Sequence, residues 1–80
     1  MRVRVLYFGV LREKLRSDAA YLELAEGATV ADVLNVYRER MTEFAWDSIA
    51  MAVNQEYARA GDVLKDGDEV ALLPPVSGGS

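Results

Sequence analysis

One segment of this 80-residue chain spaces its apolar residues as a helix does, and that constrains the fold most. Val30, Val33, Leu34, Tyr37 and Met41 fall on the i, i+3, i+4, i+7 pattern and draw a single apolar stripe. Thr29 stands just before the stripe with Asp32 three residues on, an arrangement that resembles a capping box, although Asp is a weaker partner there than Glu or Gln. Arg38 and Arg40 occupy the far end, where cations suit the helix dipole. A helix apolar on one side covers one face of a sheet, so the remaining segments are expected to supply that sheet.

They are written in strand period. Val3, Val5 and Tyr7 alternate with Arg2, Arg4 and Leu6, the mark of a strand with one buried face, and Gly9 stands where the alternation ends. The polar stretch Arg12 to Asp18 predicts a short helical turn or a loop with a solvated face. Tyr21 to Leu24 resumes alternation with Leu22 and Leu24 inward, and Glu26-Gly27 turns the chain. Phe44 and Trp46 lie in a connecting segment and are expected to pack inside. The run Ile49 to Val53 predicts a central strand, with a hairpin at Asn54-Gln55 leading to Tyr57. Turn signals at Ala60-Gly61-Asp62 and Lys65-Asp66-Gly67-Asp68 flank Val63 and Leu64, both expected to tuck under the core. Glu69 to Leu73 is the last strand, and its near-continuous apolarity predicts burial on both faces. The order strand, strand, helix, strand, short strand or turn, strand gives an α+β architecture of the β-grasp type. It implies a mixed sheet of four to five strands, one main helix packed across it, a domain over residues 1–75 and a flexible tail over 76–80.

Composition narrows the chemistry. A net charge of −4 argues against nucleic acid, whose binding relies on cations that neutralise phosphates, and fits a partner with a basic surface. With neither Cys nor His, the chain offers no thiol nucleophile, no imidazole base and no nitrogen or sulfur zinc site. No calcium loop or glycine-rich phosphate loop appears, so an enzyme acting alone is not expected. No apolar run is long enough to span a bilayer and no secretory signal is visible. The lack of cysteine suits the cytoplasm, where disulfides are rare, and a cytoplasmic protein is the expectation.

The end of the chain is unlike that of an ordinary small domain. Pro74 and Pro75 stiffen the exit from the last strand, and Val76-Ser77-Gly78-Gly79 follows. Prolines favour an extended conformation and glycines carry no Cβ, so the segment has the makings of a thin arm. Fully extended, Leu73 to Gly79 would reach about 20 Å.

Three stretches carry a resemblance. Val3-Arg4-Val5-Leu6-Tyr7-Phe8-Gly9-Val10-Leu11-Arg12-Glu13 resembles the first strand and turn of the small subunit of molybdopterin synthase, and Ala52-Val53-Asn54-Gln55-Glu56 resembles that family's central hairpin. Asp66 through Gly79 is the most specific, because its Pro-Pro-Val-Ser-Gly-Gly end is much narrower than the strands shared by ubiquitin-like proteins. The resemblance implies a sulfur carrier of the ubiquitin-like β-grasp superfamily, working in molybdenum cofactor biosynthesis. Gly79 would be adenylated by an E1-like adenylyltransferase that uses ATP, then converted to a thiocarboxylate with sulfur from a donor protein. Loaded, it would deliver sulfur to cyclic pyranopterin monophosphate in the active site of the large synthase subunit. Gly78, Ser77, Val76 and Pro75 would insert with it, while Phe8, Leu73 and Val76 would dock on the large subunit. The chain itself would bind no cofactor and hold no metal.

Ser80 departs from the family pattern, which ends at the second glycine. With Ser80 attached, Gly79 carries an amide that cannot be adenylated. Removal by a protease, an origin as an appendage to the expressed chain, and loss of the carrier role are the three readings of it. Two other functions fit the same fold: a carrier for thiamine or tRNA thiolation, and a ubiquitin-like module that binds partners without chemistry.

Overall fold

The computed structural model of the chain describes residues 1–75, and Val76, Ser77, Gly78, Gly79 and Ser80, with the tail expected there, lie outside the described residues. Strand β1 (Arg2–Tyr7) is followed by a short helix α1 (Val10–Leu15), strand β2 (Ala19–Glu23) and the main helix α2 (Val30–Arg40). A single 3-10 turn (Trp46–Ser48) leads into β3 (Ala50–Val53), β4 (Glu56–Tyr57) and β5 (Glu69–Leu73). The strands form one mixed sheet in the order β2-β1-β5-β3-β4. Only the β1–β5 pair is parallel; β1–β2, β3–β5 and β3–β4 are antiparallel. This is the β-grasp architecture that the element order predicts. The run read as central, β3, lies second from an edge, and β5 takes the middle position because it pairs with β1 on one side and β3 on the other.

Alternation in β1 sends Val3, Val5 and Tyr7 into the core, beside Leu22 of β2, Met51 of β3, and Val70 and Leu72 of β5. Helix α2 lays Val30, Val33 and Tyr37 on that same face, with Leu34 and Met41 half-buried at the margin. Its start is fixed as the sequence predicts: the Asp32 carboxylate accepts the Thr29 backbone N–H at 2.8 Å and the Thr29 hydroxyl at 3.3 Å. Strand and helix are joined in the interior by the hydroxyls of Tyr7 and Tyr37, 2.7 Å apart, their rings edge to face at 5.6 Å. Trp46 closes the end of the core, its indole N–H donating to the Met41 carbonyl at 2.8 Å while Phe44 packs on its ring at 4.8 Å. Both aromatics therefore pack, as expected. Among the described residues no buried side-chain polar atom lacks a hydrogen-bond partner, and no helix is long and apolar enough to cross a membrane.

Two expectations about burial fail. Leu64 does enter the core, but Val63 is exposed, because it bridges to Thr29 through its backbone and turns its side chain away. More consequentially, β5 is buried on one face only. Val70 and Leu72 are fully buried, while Glu69, Ala71 and Leu73 on the alternate face remain half-exposed. Helix α2 covers a single side of the sheet, and no other described element packs over the second.

Candidate functional site

The uncovered face is built by the strand registers. Residues opposite one another in a sheet project to the same side, so the pairings Leu6–Ala71, Ala71–Ala52 and Ala52–Tyr57 set these four residues in one row across four strands. At strand spacings of about 4.8 Å, that row spans roughly 14 Å. Ala71 and Ala52 form a low floor, Leu6 a wall on one side and Tyr57 a wall on the other. The next row toward the C-terminal end of β5 holds Leu73, paired with Ala50, and Phe8 just beyond the end of β1. Together they enclose a shallow depression of about 350 Å³ with Gln55 and Glu69 at its rim. Phe8 is 41% exposed and Tyr57 84%, far more than a side chain recruited for the core.

The opposite end of this face is polar. Arg4 pairs with Glu69 at 3.4 Å, Arg2 with Glu23 at 3.1 Å, and the Arg2 guanidinium also lies 5.0 Å from the centre of the Tyr21 ring. These exposed pairs add little stability but keep that end wet. Apolar surface is thus concentrated where β5 ends and the C-terminal segment departs. Larger depressions lie elsewhere: one of about 470 Å³ is bordered by Lys14, Arg40 and Glu43, and one of about 580 Å³ runs from Gly9 along the polar residues Arg12, Glu13, Arg16 and Asp18, away from the apolar row.

The exit itself is held. Pro74 follows β5 and packs against Gly9, so closely that a Cβ on Gly9 would stand 3.1 Å from the proline Cγ. Gly9 has φ +55° and ψ −133°, a conformation open to glycine and hostile to other L-residues. The turn from β1 to α1 therefore serves as a seat for the root of the C-terminal segment. Pro75 is exposed beyond it.

Of the residues singled out in the sequence, Phe8 and Leu73 are brought together on the open face, and Pro75 lies next to it along the chain. Val76, Ser77, Gly78 and Gly79 lie outside the described residues. The sequence reading missed Ala52, Ala71, Gln55 and Tyr57. The available signal was small residues beside buried ones, Ala71 between Val70 and Leu72 in β5 and Ala50 and Ala52 around Met51 in β3, with an aromatic following on the two-residue strand. Burial, reinforced by the hydrogen bond with Tyr7, pushes the Tyr37 hydroxyl well above the usual tyrosine range, against an opposing pull from Arg40. It is sealed in the core and does not adjoin the open face.

Residues 5–79 match the ThiS family model. The molybdopterin synthase sulfur carrier subunit of Chlamydomonas reinhardtii is 40% identical over 83 residues, with 99% of this chain and all of that protein covered. Among solved structures, SAMP1 from Haloferax volcanii superposes with a TM-score of 0.83 at 30% identity, covering 99% of this chain and 100% of the other. A subunit from the complex of subunits 1 and 2 of molybdopterin-converting factor from Helicobacter pylori gives a TM-score of 0.69 at 27% identity, with 99% and 100% covered. Agreement extends over the whole sheet, the main helix and the segment that leaves β5, so the chain belongs to the ThiS family and stands beside the sulfur carrier subunits of molybdopterin synthase.

Proposed function

We propose that this chain is the sulfur carrier of a molybdopterin synthase and acts as a covalent, consumable substrate. The observation that carries the reading is the apolar half of the uncovered sheet face, placed beside the root of the C-terminal segment. A chain of this size with an exposed apolar row at one end of a sheet is built to be covered by another protein. The complex from Helicobacter pylori joins two subunits of molybdopterin-converting factor, and the large subunit is the partner proposed here. Phe8 and Leu73, with Leu6 and Tyr57, supply the docking contacts, and Val76 extends them. With the face covered, Pro74 on Gly9 aims the following residues, and Pro75, Val76, Ser77 and Gly78 pass into the partner's active site.

The chemistry belongs to Gly79. A carboxylate is a poor electrophile, so sulfur cannot displace its oxygen directly. Attack of the Gly79 carboxylate on the α-phosphorus of ATP, held by an E1-like adenylyltransferase, releases pyrophosphate and leaves an acyl-adenylate. Sulfide-level sulfur from a donor protein then attacks the acyl carbon and expels AMP, giving the thiocarboxylate. Attack of that sulfur on cyclic pyranopterin monophosphate forms an acyl–sulfur link, and water cleaves its C–S bond, leaving the sulfur on the pterin and returning the Gly79 carboxylate, so each transfer consumes one thiocarboxylate. The carrier supplies no acid, base or metal to these steps; its partners hold them, and ATP is bound by the activating enzyme alone. Loading requires a free Gly79 carboxylate, hence removal of Ser80, and a compartment with ATP, which is the cytoplasm.

Intact mass decides the matter. Incubated with activating enzyme, ATP and sulfur donor, a chain ending at Gly79 gains the mass of one oxygen replaced by sulfur, while the chain retaining Ser80 stays unmodified. Deleting Gly78 to Ser80 abolishes molybdoenzyme activity in cells, whereas a module that merely binds its partners would keep its role. Unmodified protein in the presence of a demonstrably active enzyme would refute the reading.

A further inference from the structure

The turn between β3 and β4 has two residues, Asn54 and Gln55, and both adopt left-handed backbone, with φ 51° and 72°. Such turns match the twist of a hairpin and favour Asn or Asp followed by Gly, since a Cβ on the second residue crowds the backbone. Asn54 follows the rule and does the binding work of the turn. Its Oδ1 accepts the Glu69 N–H at 3.0 Å, its Nδ2 donates to Asp68 at 3.0 Å, and its own N–H donates to the Glu69 carbonyl at 2.8 Å. Gln55 breaks the rule. It takes part in none of these three bonds, is exposed, and borders the apolar depression beside Tyr57 and Ala71.

A side chain kept in strained backbone, where glycine would relax the turn, points to a use for the side chain itself. We propose that Gln55 is a specificity-determining residue for docking, its amide pairing with a backbone peptide group of the large subunit at the rim of the apolar face. A primary amide matches a peptide group in kind, donating to its carbonyl and accepting from its N–H, without bringing a charge into a dry interface. The alanine floor and aromatic walls are non-directional and attract many apolar surfaces equally. One directional pair at the edge fixes the register of the partner, and with it the line along which the C-terminal segment enters. The Asn54 clamp to β5 fixes the backbone from which the Gln55 side chain extends at the rim. The inference deepens the docking reading above and rests on it.

Full-length Gln55→Gly and Gln55→Asn chains, titrated against the large subunit by calorimetry and melted alone, test it. Gln55→Gly melts at or above the wild-type temperature because the turn relaxes, yet binds about five- to tenfold more weakly, the loss expected for one hydrogen bond. In sulfur transfer from the same variants ending at Gly79 and loaded as the thiocarboxylate, KM rises for Gln55→Gly while kcat holds, the signature of lost docking rather than altered chemistry. Gln55→Asn, which keeps an amide and tolerates left-handed backbone, falls between Gly and wild type. Gly binding as tightly as wild type, Asn binding no better than Gly, or a lower melting temperature for Gly would each overturn the assignment. Failure of the docking reading itself appears separately, as a wild-type chain that does not bind the large subunit at all.

Discussion

The hydroxyls of Tyr7 and Tyr37 bind β1 to α2 through a single buried contact of 2.7 Å, and neither faces solvent. Removing one hydroxyl strands the other in the core, so Tyr7→Phe lowers unfolding stability by about 1–3 kcal/mol, while the double variant Tyr7→Phe/Tyr37→Phe lies closer to wild type in urea titrations. The displaced ionisation of Tyr37 gives this contact a pH signature. Its folded pKa is raised, chiefly by burial and then by the bond to Tyr7, so the group binds its proton more tightly in the folded chain. Unfolded, it ionises near pH 10. The associated stability is therefore complete below about pH 10 and declines above it, by up to about 1.4 kcal/mol per pH unit. Denaturation of wild type and Tyr37→Phe across the alkaline range checks this: the difference between them narrows as pH rises. Residues of this kind were legible as core from spacing alone, Tyr7 by strand alternation and Tyr37 by the helical stripe. Their mutual bond was not, because it depends on how the helix crosses the strand.

At the scale of elements, those with one buried face follow their sequence periods closely. β1 alternates as written, and α2 begins where Thr29 and Asp32 place it. Asp32→Ala removes the acceptor for the Thr29 N–H and lowers stability by about 1 kcal/mol, measured by thermal or urea unfolding; Asp32→Glu, able to restore the bond, recovers most of it. β5 shows where periodicity stops being informative. Its apolar residues at consecutive positions satisfy the pattern of a strand buried on two sides, and the pattern is the same whether the second cover comes from the same chain or from another. Only the count of covering elements separates these cases, and the described residues hold one helix of useful length for two sheet faces. Val63 failed for a related reason, since a backbone bridge to Thr29 decides its direction and leaves no trace in local hydropathy.

Across the described residues the apolar side chains of the sheet divide between a face buried under α2 and a face left open, the docking face of the function proposed above, and two neighbours in β5 separate the two. Leu72 points inward, fully buried against Tyr7 of β1 and Met51 of β3, its register partners. Leu73 points outward to the open face beside Phe8. The same substitution at adjacent positions should therefore fail in different assays. Leu72→Ala opens a cavity in a core of very few side chains and destabilises by about 2–5 kcal/mol, a large share of what a domain of this size has to lose. Leu73→Ala gives up half-buried surface and lowers stability by about 1 kcal/mol or less. In binding to the large subunit the order reverses. At a temperature where both variants remain folded, Leu73→Ala weakens association by about 2 kcal/mol, the magnitude of a hot-spot residue, and Leu72→Ala changes it little. Paired unfolding curves and binding titrations give both numbers from the same preparations. A Leu73→Ala chain that loses stability as Leu72→Ala does, with docking intact, would return the outer row to the core and leave the open face without a role.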